Sequence, residues 1–244
     1  MKFIAATAAM VLSGAAYAGE AVDYSAGDRT FEGYVAKAEN PKGAVVLIHD
    51  WDGLTDYEKK RADMLAEQGY NAFAIDLYGK GVRPDTMEGN RAETQKLYDD
   101  RATMRALMTA GLEAAAAQGL TAPVVAGYCF GGAAALEMAR AQPPEVLGYA
   151  TFHGGLDTPE GEDYAAAKAP MRIYQGGADT GPDMATFAGF ITQLEAAGTP
   201  YKAEVYAGAP HAFTVFGSDR YREEADQRSW ADFLAFLGET MPGV

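Results

Sequence analysis

Apolar positions along this chain follow two rhythms. Short unbroken runs rich in β-branched residues recur, and between them lie segments with apolar residues at helical spacing. "GAVVLIH" (43–49) and "NAFAIDLYG" (71–79) read as strands, and so do "APVVAGY" (122–128), "EVLGYATFHG" (145–154), "MRIYQGG" (171–177) and "YKAEVYAG" (201–208). "TDYEKKRADMLAEQG" (55–69) reads as a helix closed by glycine. A single long helix is expected over 90–117, with Leu97, Met104, Leu107, Met108 and Leu112 on one stripe. Further helices are expected over 132–142, 183–198 and 227–239. Buried strands alternating with helices predict an α/β fold, a mostly parallel sheet with helices on both faces.

The first 18 residues break this pattern. "MKFIAATAAMVLSGAAYA" has one lysine, an apolar stretch too short to span a bilayer comfortably, and a small-residue end. It reads as a secretory signal peptide cleaved after Ala18, so a periplasmic or secreted protein is expected. The 226 residues from 19 to 244 are enough for one domain with a sizeable core. They carry 19 basic against 34 acidic residues, a net charge of −15, which argues against nucleic acid and anionic membranes as partners. There is no internal repeat. The turn-rich stretch 79–90 either crosses the surface or borders a site, the surface crossing being the reading favoured. A monomer is expected.

The chain has one cysteine, and it cannot pair internally. Cys129 lies in "GYCFGG", between a predicted strand and a predicted helix. In an open α/β sheet, reactive groups gather at the carboxyl ends of strands. Asp50, Cys129, Asp179 and His211 all fall at such ends. Glycines on both sides of Cys129 suit a strained strand-to-helix turn that holds a nucleophile clear of the sheet. The helix N-terminus behind it is expected to lower the thiol's pKa, and the Phe130 N–H to supply half of an oxyanion hole. His211 is the histidine of a late strand-to-helix loop; the others are His49 and His153. Asp179 can hold the second imidazole nitrogen, with Asp183 as a nearby competitor. The order nucleophile, acid, base is that of α/β-hydrolases. No metal-ligand spacing or nucleotide-binding glycine motif is present, and neither metal nor cofactor is expected.

These motifs, "HDWDGL" (49–54), "GYNAFAIDLYG" (69–79), "GYCFGG" (127–132), "GGAD" (176–179) and "PHAF" (210–213), resemble the dienelactone hydrolase family over residues 30–238. The resemblance implies the α/β-hydrolase fold and opening of a small ester or lactone through a thioester on Cys129. It implies a triad of Cys129, Asp179 and His211, and Trp51 N–H as the second oxyanion donor. It implies a thiol-activating acid at Asp50, one methylene shorter than the family's glutamate. Val215 stands where such members carry a carboxylate-binding arginine, while Arg91 resembles the other one. Neutral esters or lactones are therefore expected to be turned over at least as well as carboxylated ones, unless Arg83 or Arg91 supplies the cation. Two other readings compete: a non-catalytic ligand-binding protein on a hydrolase fold, and a thiol redox protein, which a lone cysteine without a resolving partner disfavours.

Overall fold

The structure is a computed structural model that describes residues 19–241; the expected signal peptide lies outside them. Eight strands form one sheet in the order β1-β2-β4-β3-β5-β6-β7-β8. They are β1 (Glu20–Ala26), β2 (Arg29–Ala36), β3 (Ala44–Ile48), β4 (Asn71–Ile75), β5 (Val124–Tyr128), β6 (Gly148–Phe152), β7 (Met171–Gly176) and β8 (Tyr201–Tyr206). β1 and β2 run antiparallel at one edge; the pairs from β4 through β8 are parallel. The central strands β3, β5 and β6 are buried at every residue, which is why they read as continuous apolar runs.

Among the described residues six helices cover the sheet: α1 (Asp56–Glu67), α2 (Met87–Asp99), α3 (Arg101–Ala117), α4 (Phe130–Ala141), α5 (Met184–Ala197) and α6 (Glu223–Thr240). Apolar residues of α2 to α5 fill one core and those of α1 and α6 the other, so both faces are covered as the pattern predicts.

Two expectations need correction. The 20–36 segment, which the sequence left unassigned, is a hairpin whose β1 only half-buries alternate residues. The helix expected over 90–117 is two helices. Asp100 takes a non-helical backbone (φ −126°, ψ 76°), and its carboxylate accepts the Thr103 N–H at 2.9 Å and the Thr103 hydroxyl at 2.7 Å. An acid that caps a new helix start competes with continuing the old one. The predicted stripe survives the break: Leu97, Met104, Leu107, Met108 and Leu112 are all buried.

Candidate active site

The strand ends converge on one spot. Cys129 follows β5 directly and caps α4, at φ 51° and ψ −111°. A side chain held in such a backbone is strained, and the surroundings must over-determine it. Here the Cys129 N–H donates to Phe152 O at 3.0 Å and its carbonyl accepts from Ala133 N at 3.2 Å. The flanking glycines are required by contact. A Cβ on Gly127 would lie 2.0 Å from Gly131 O, and one on Gly131 would lie 2.2 Å from Ile48 O. The close approach of β3, β5 and α4 leaves no room for a methyl group.

His211, in the loop after β8, brings Nε2 to 3.1 Å from Cys129 Sγ. Its Nδ1 lies 2.9 Å from Asp179 Oδ2. The Asp179 side chain is buried, and its other oxygen accepts from Gly181 N at 2.9 Å. Both carboxylate oxygens are thus fixed. Asp183 is exposed and caps α5 by accepting from Thr186 N at 2.8 Å, so the structure brings Asp179 to the histidine and not Asp183.

The Asp50 carboxylate lies near enough to Cys129 for the two groups to shift each other's ionisation, and it accepts from Trp51 N at 2.5 Å. The Phe130 N–H favours the anionic form of the Cys129 sulfur. In this resting arrangement one of the two expected oxyanion donors, the Trp51 N–H, is engaged by the carboxylate. The peptide that carries Trp51 is held from several sides. His49 Nδ1 donates to Asp50 O at 2.6 Å while its Nε2 accepts from Leu77 N at 3.1 Å. Glu58 accepts from Asp50 N at 3.1 Å, and Tyr78 Oη donates to Trp51 O at 2.9 Å.

The thiol's electrostatics run opposite to the expected lowering. Burial and the Asp50 carboxylate raise the Cys129 pKa well above its ordinary value, against the Phe130 N–H, which lowers it. The helix N-terminus is present but outweighed. Burial likewise raises Asp50, against the Trp51 N–H and the thiol that stabilise its anion. Asp52, next in this acidic loop, is pushed up to about 6 by burial and by Asp50. Burial holds His49 down to about 4, which keeps it neutral and able to accept from Leu77.

Beside His211 opens a cavity of about 330 Å³, lined by Asp179, Thr180, Pro210, His211 and Arg220 among others. Arg91 is not among its lining; it is exposed on α2, with no hydrogen bond or ion pair of its side chain among the described residues. Arg83 is consumed in holding its own loop, donating to Leu54 O and to Val82 O at 2.7 Å and pairing with Asp76 at 3.5 Å. Arg220 is the cation that sequence reasoning missed. It is exposed, has no ion pair among the described residues, and its charge stabilises the Asp50 anion. Its position depends on the path of the loop after Val215, for which the sequence offers no periodic signal.

The model of the dienelactone hydrolase family matches residues 31–241. The chain belongs to that family. Among curated members and relatives, a Bradyrhizobium sp. protein named "Probable 2-oxo-3-(5-oxofuran-2-ylidene)propanoate lactonase" is 28% identical over 206 residues, 80% of this chain and 82% of that one. A solved dienelactone hydrolase-like promiscuous phosphotriesterase from metagenomic libraries superposes with a TM-score of 0.83 at 28% identity, covering 91% of this chain and 98% of that one. The fold extends further. A puromycin-hydrolyzing peptidase of Mycobacterium tuberculosis shares it at a TM-score of 0.69 and 17% identity, over 92% of this chain and 40% of that one. This dienelactone hydrolase family member thus has the α/β-hydrolase fold, with its one cysteine in the turn between β5 and α4.

Proposed function

We propose that this family member is a cysteine-dependent hydrolase of small esters or lactones that works through a thioester acyl-enzyme. The observation that carries the reading is the unbroken contact line from Cys129 Sγ through His211 to Asp179, at 3.1 Å and 2.9 Å. The resting thiol is protonated. His211 Nε2 takes its proton as Sγ attacks the carbonyl carbon, and Asp179 holds the Nδ1–H and stabilises the imidazolium. The carbonyl oxygen becomes an oxyanion, bound by the N–H groups of Phe130 and Trp51. For Trp51 to serve, the Asp50 carboxylate leaves its N–H as substrate enters. The C–O bond then breaks, His211 returns the proton to the leaving oxygen, and the acyl group stays on sulfur. Water, deprotonated by His211, cleaves the thioester and restores the thiol.

Cys129→Ala should lose at least about a thousandfold in kcat on an activated ester. Intact-mass measurement of the unmodified enzyme with a slow ester should find one acyl group per chain, absent in the variant. Full activity in the alanine variant rules the reading out. Iodoacetamide, by contrast, is a poor discriminator from a mere binding protein. A thiol held protonated reacts slowly in either case.

The reading extends to location. Export as a periplasmic or secreted protein is supported by the composition of residues 1–18. The mature protein recovered from its native compartment should begin at Gly19. Recovery only of chains that retain Met1 in the cytoplasm refutes export.

A further inference from the structure

His153 is absent from the chemistry described so far, yet it touches the histidine that performs it. It follows β6 at φ 41°, a left-handed backbone unusual for a residue with a side chain. It is fully buried. Its ring meets His211 edge to face, with centroids 5.3 Å apart at 67°, and Phe213 likewise at 5.3 Å and 78°. Its Nε2 lies 2.8 Å from Thr214 Oγ1, three residues beyond His211. The Thr214 hydroxyl lies 2.6 Å from Tyr57 Oη. Tyr57 Oη in turn accepts from Arg61 Nε at 3.3 Å. Arg61 also donates to Thr214 O at 2.9 Å and pairs with the buried Asp226 of α6.

Counting protons gives this chain a direction. Arginine can only donate, so Tyr57 accepts from it. The one hydroxyl proton of Tyr57 has no other acceptor among the described residues, so it goes to Thr214. The one hydroxyl proton of Thr214 then goes to His153 Nε2. A ring that accepts at Nε2 carries its proton on Nδ1, and that atom has no hydrogen-bond partner among the described residues. A buried polar group left unpaired needs a reason.

We propose that His153 is a positioning residue for His211: fixed as the Nδ1–H tautomer by the Arg61–Tyr57–Thr214 relay, it braces the His211 ring and ties down its loop, so that His211 Nε2 faces Cys129. The proposal rests on the reading of His211 as the general base. Its electrostatics agree. The ionisable groups around His153 are His211 in its loop, Arg61 and Tyr57 on α1, and Tyr128 on β5. Burial and the positive charges of His211 and Arg61 hold its pKa well below the ordinary histidine value. Of two touching imidazoles only His211 takes the proton from Cys129.

The test is a set of long-range proton–nitrogen spectra of the unmodified protein labelled with 15N-histidine, taken from about pH 5 to about pH 9. The expected result is a neutral His153 in the Nδ1–H form throughout. An Nε2–H form, or titration of His153 across this range, overturns the proposal. The spectra need no turnover, so this result and the fate of the hydrolase reading are separate. The kinetic arm uses His153→Phe, which keeps a ring against His211 but offers Thr214 no acceptor. We expect kcat to fall about tenfold or more with KM within about threefold, because the loss falls on proton transfer and not on binding. His153→Gln, whose side-chain carbonyl can accept from Thr214, should recover part of that loss. An unchanged kcat in His153→Phe overturns the proposal, and if that variant fails to fold the spectra still decide.

Discussion

At the scale of single residues, Arg220 changes what substrate charge to expect. Val215 leaves an apolar side chain where the family resemblance anticipates a cation, and on that ground neutral substrates come out at least as good as anionic ones. Arg220, five residues further along, brings a positive charge to the cavity beside His211. It is exposed, so solvent screens part of its attraction. A hydrogen bond to a charged group is worth about 1.5–3 kcal/mol, and the screened value lies at the lower end. Arg220→Ala should therefore lower kcat/KM for a carboxylated lactone about tenfold and leave a neutral ester of the same size within about twofold. Steady-state kinetics on the matched pair reads the result. Equal losses on both substrates would mean that Arg220 shapes the cavity without reading charge.

At the scale of elements, what the sequence revealed depended on how local the cause was. Strands β3, β5 and β6 were legible because burial on both faces writes an unbroken apolar run. The elbow was legible because the glycines its steric constraint demands flank Cys129 in the sequence, although only Gly127 meets a near neighbour, Gly131, while Gly131 meets Ile48 and His49 at the end of β3. Hairpin β1–β2 was not legible, since its edge strand alternates weakly and pairs with β2 only through tertiary contact. The break at Asp100 was missed because the apolar stripe runs straight through it, while a carboxylate three residues before Thr103 is a quiet signal. The sign of the thiol's pKa shift was beyond reach altogether. It depends on how near Asp50, 79 positions earlier, comes to Cys129, and no spacing along the chain encodes that distance.

At the scale of the whole molecule, five strand ends deliver the groups discussed here: Asp50 after β3, Cys129 after β5, His153 after β6, Asp179 after β7 and His211 after β8. Neighbouring parallel strands share a hydrogen-bonded register, so these groups inherit their spacing from the sheet and not from any one loop. The same arrangement places the Asp50 carboxylate against the sulfur, and this bears on how long the enzyme survives. Thiolates, far more than thiols, are what oxidants and stray electrophiles consume. A lone cysteine has no second thiol in its chain to resolve a sulfenic acid. Asp50 raises the thiol's pKa and so favours the less reactive, protonated sulfur. Asp50→Asn removes the charge that raises the thiol's pKa. Under dilute hydrogen peroxide without substrate, intact-mass analysis should find Cys129 oxidised at least about threefold faster in the variant than in the unmodified protein. Equal rates would mean that burial alone shelters the sulfur. Faster loss in the variant would mean that the carboxylate which quiets the thiol also sets the working lifetime of each molecule.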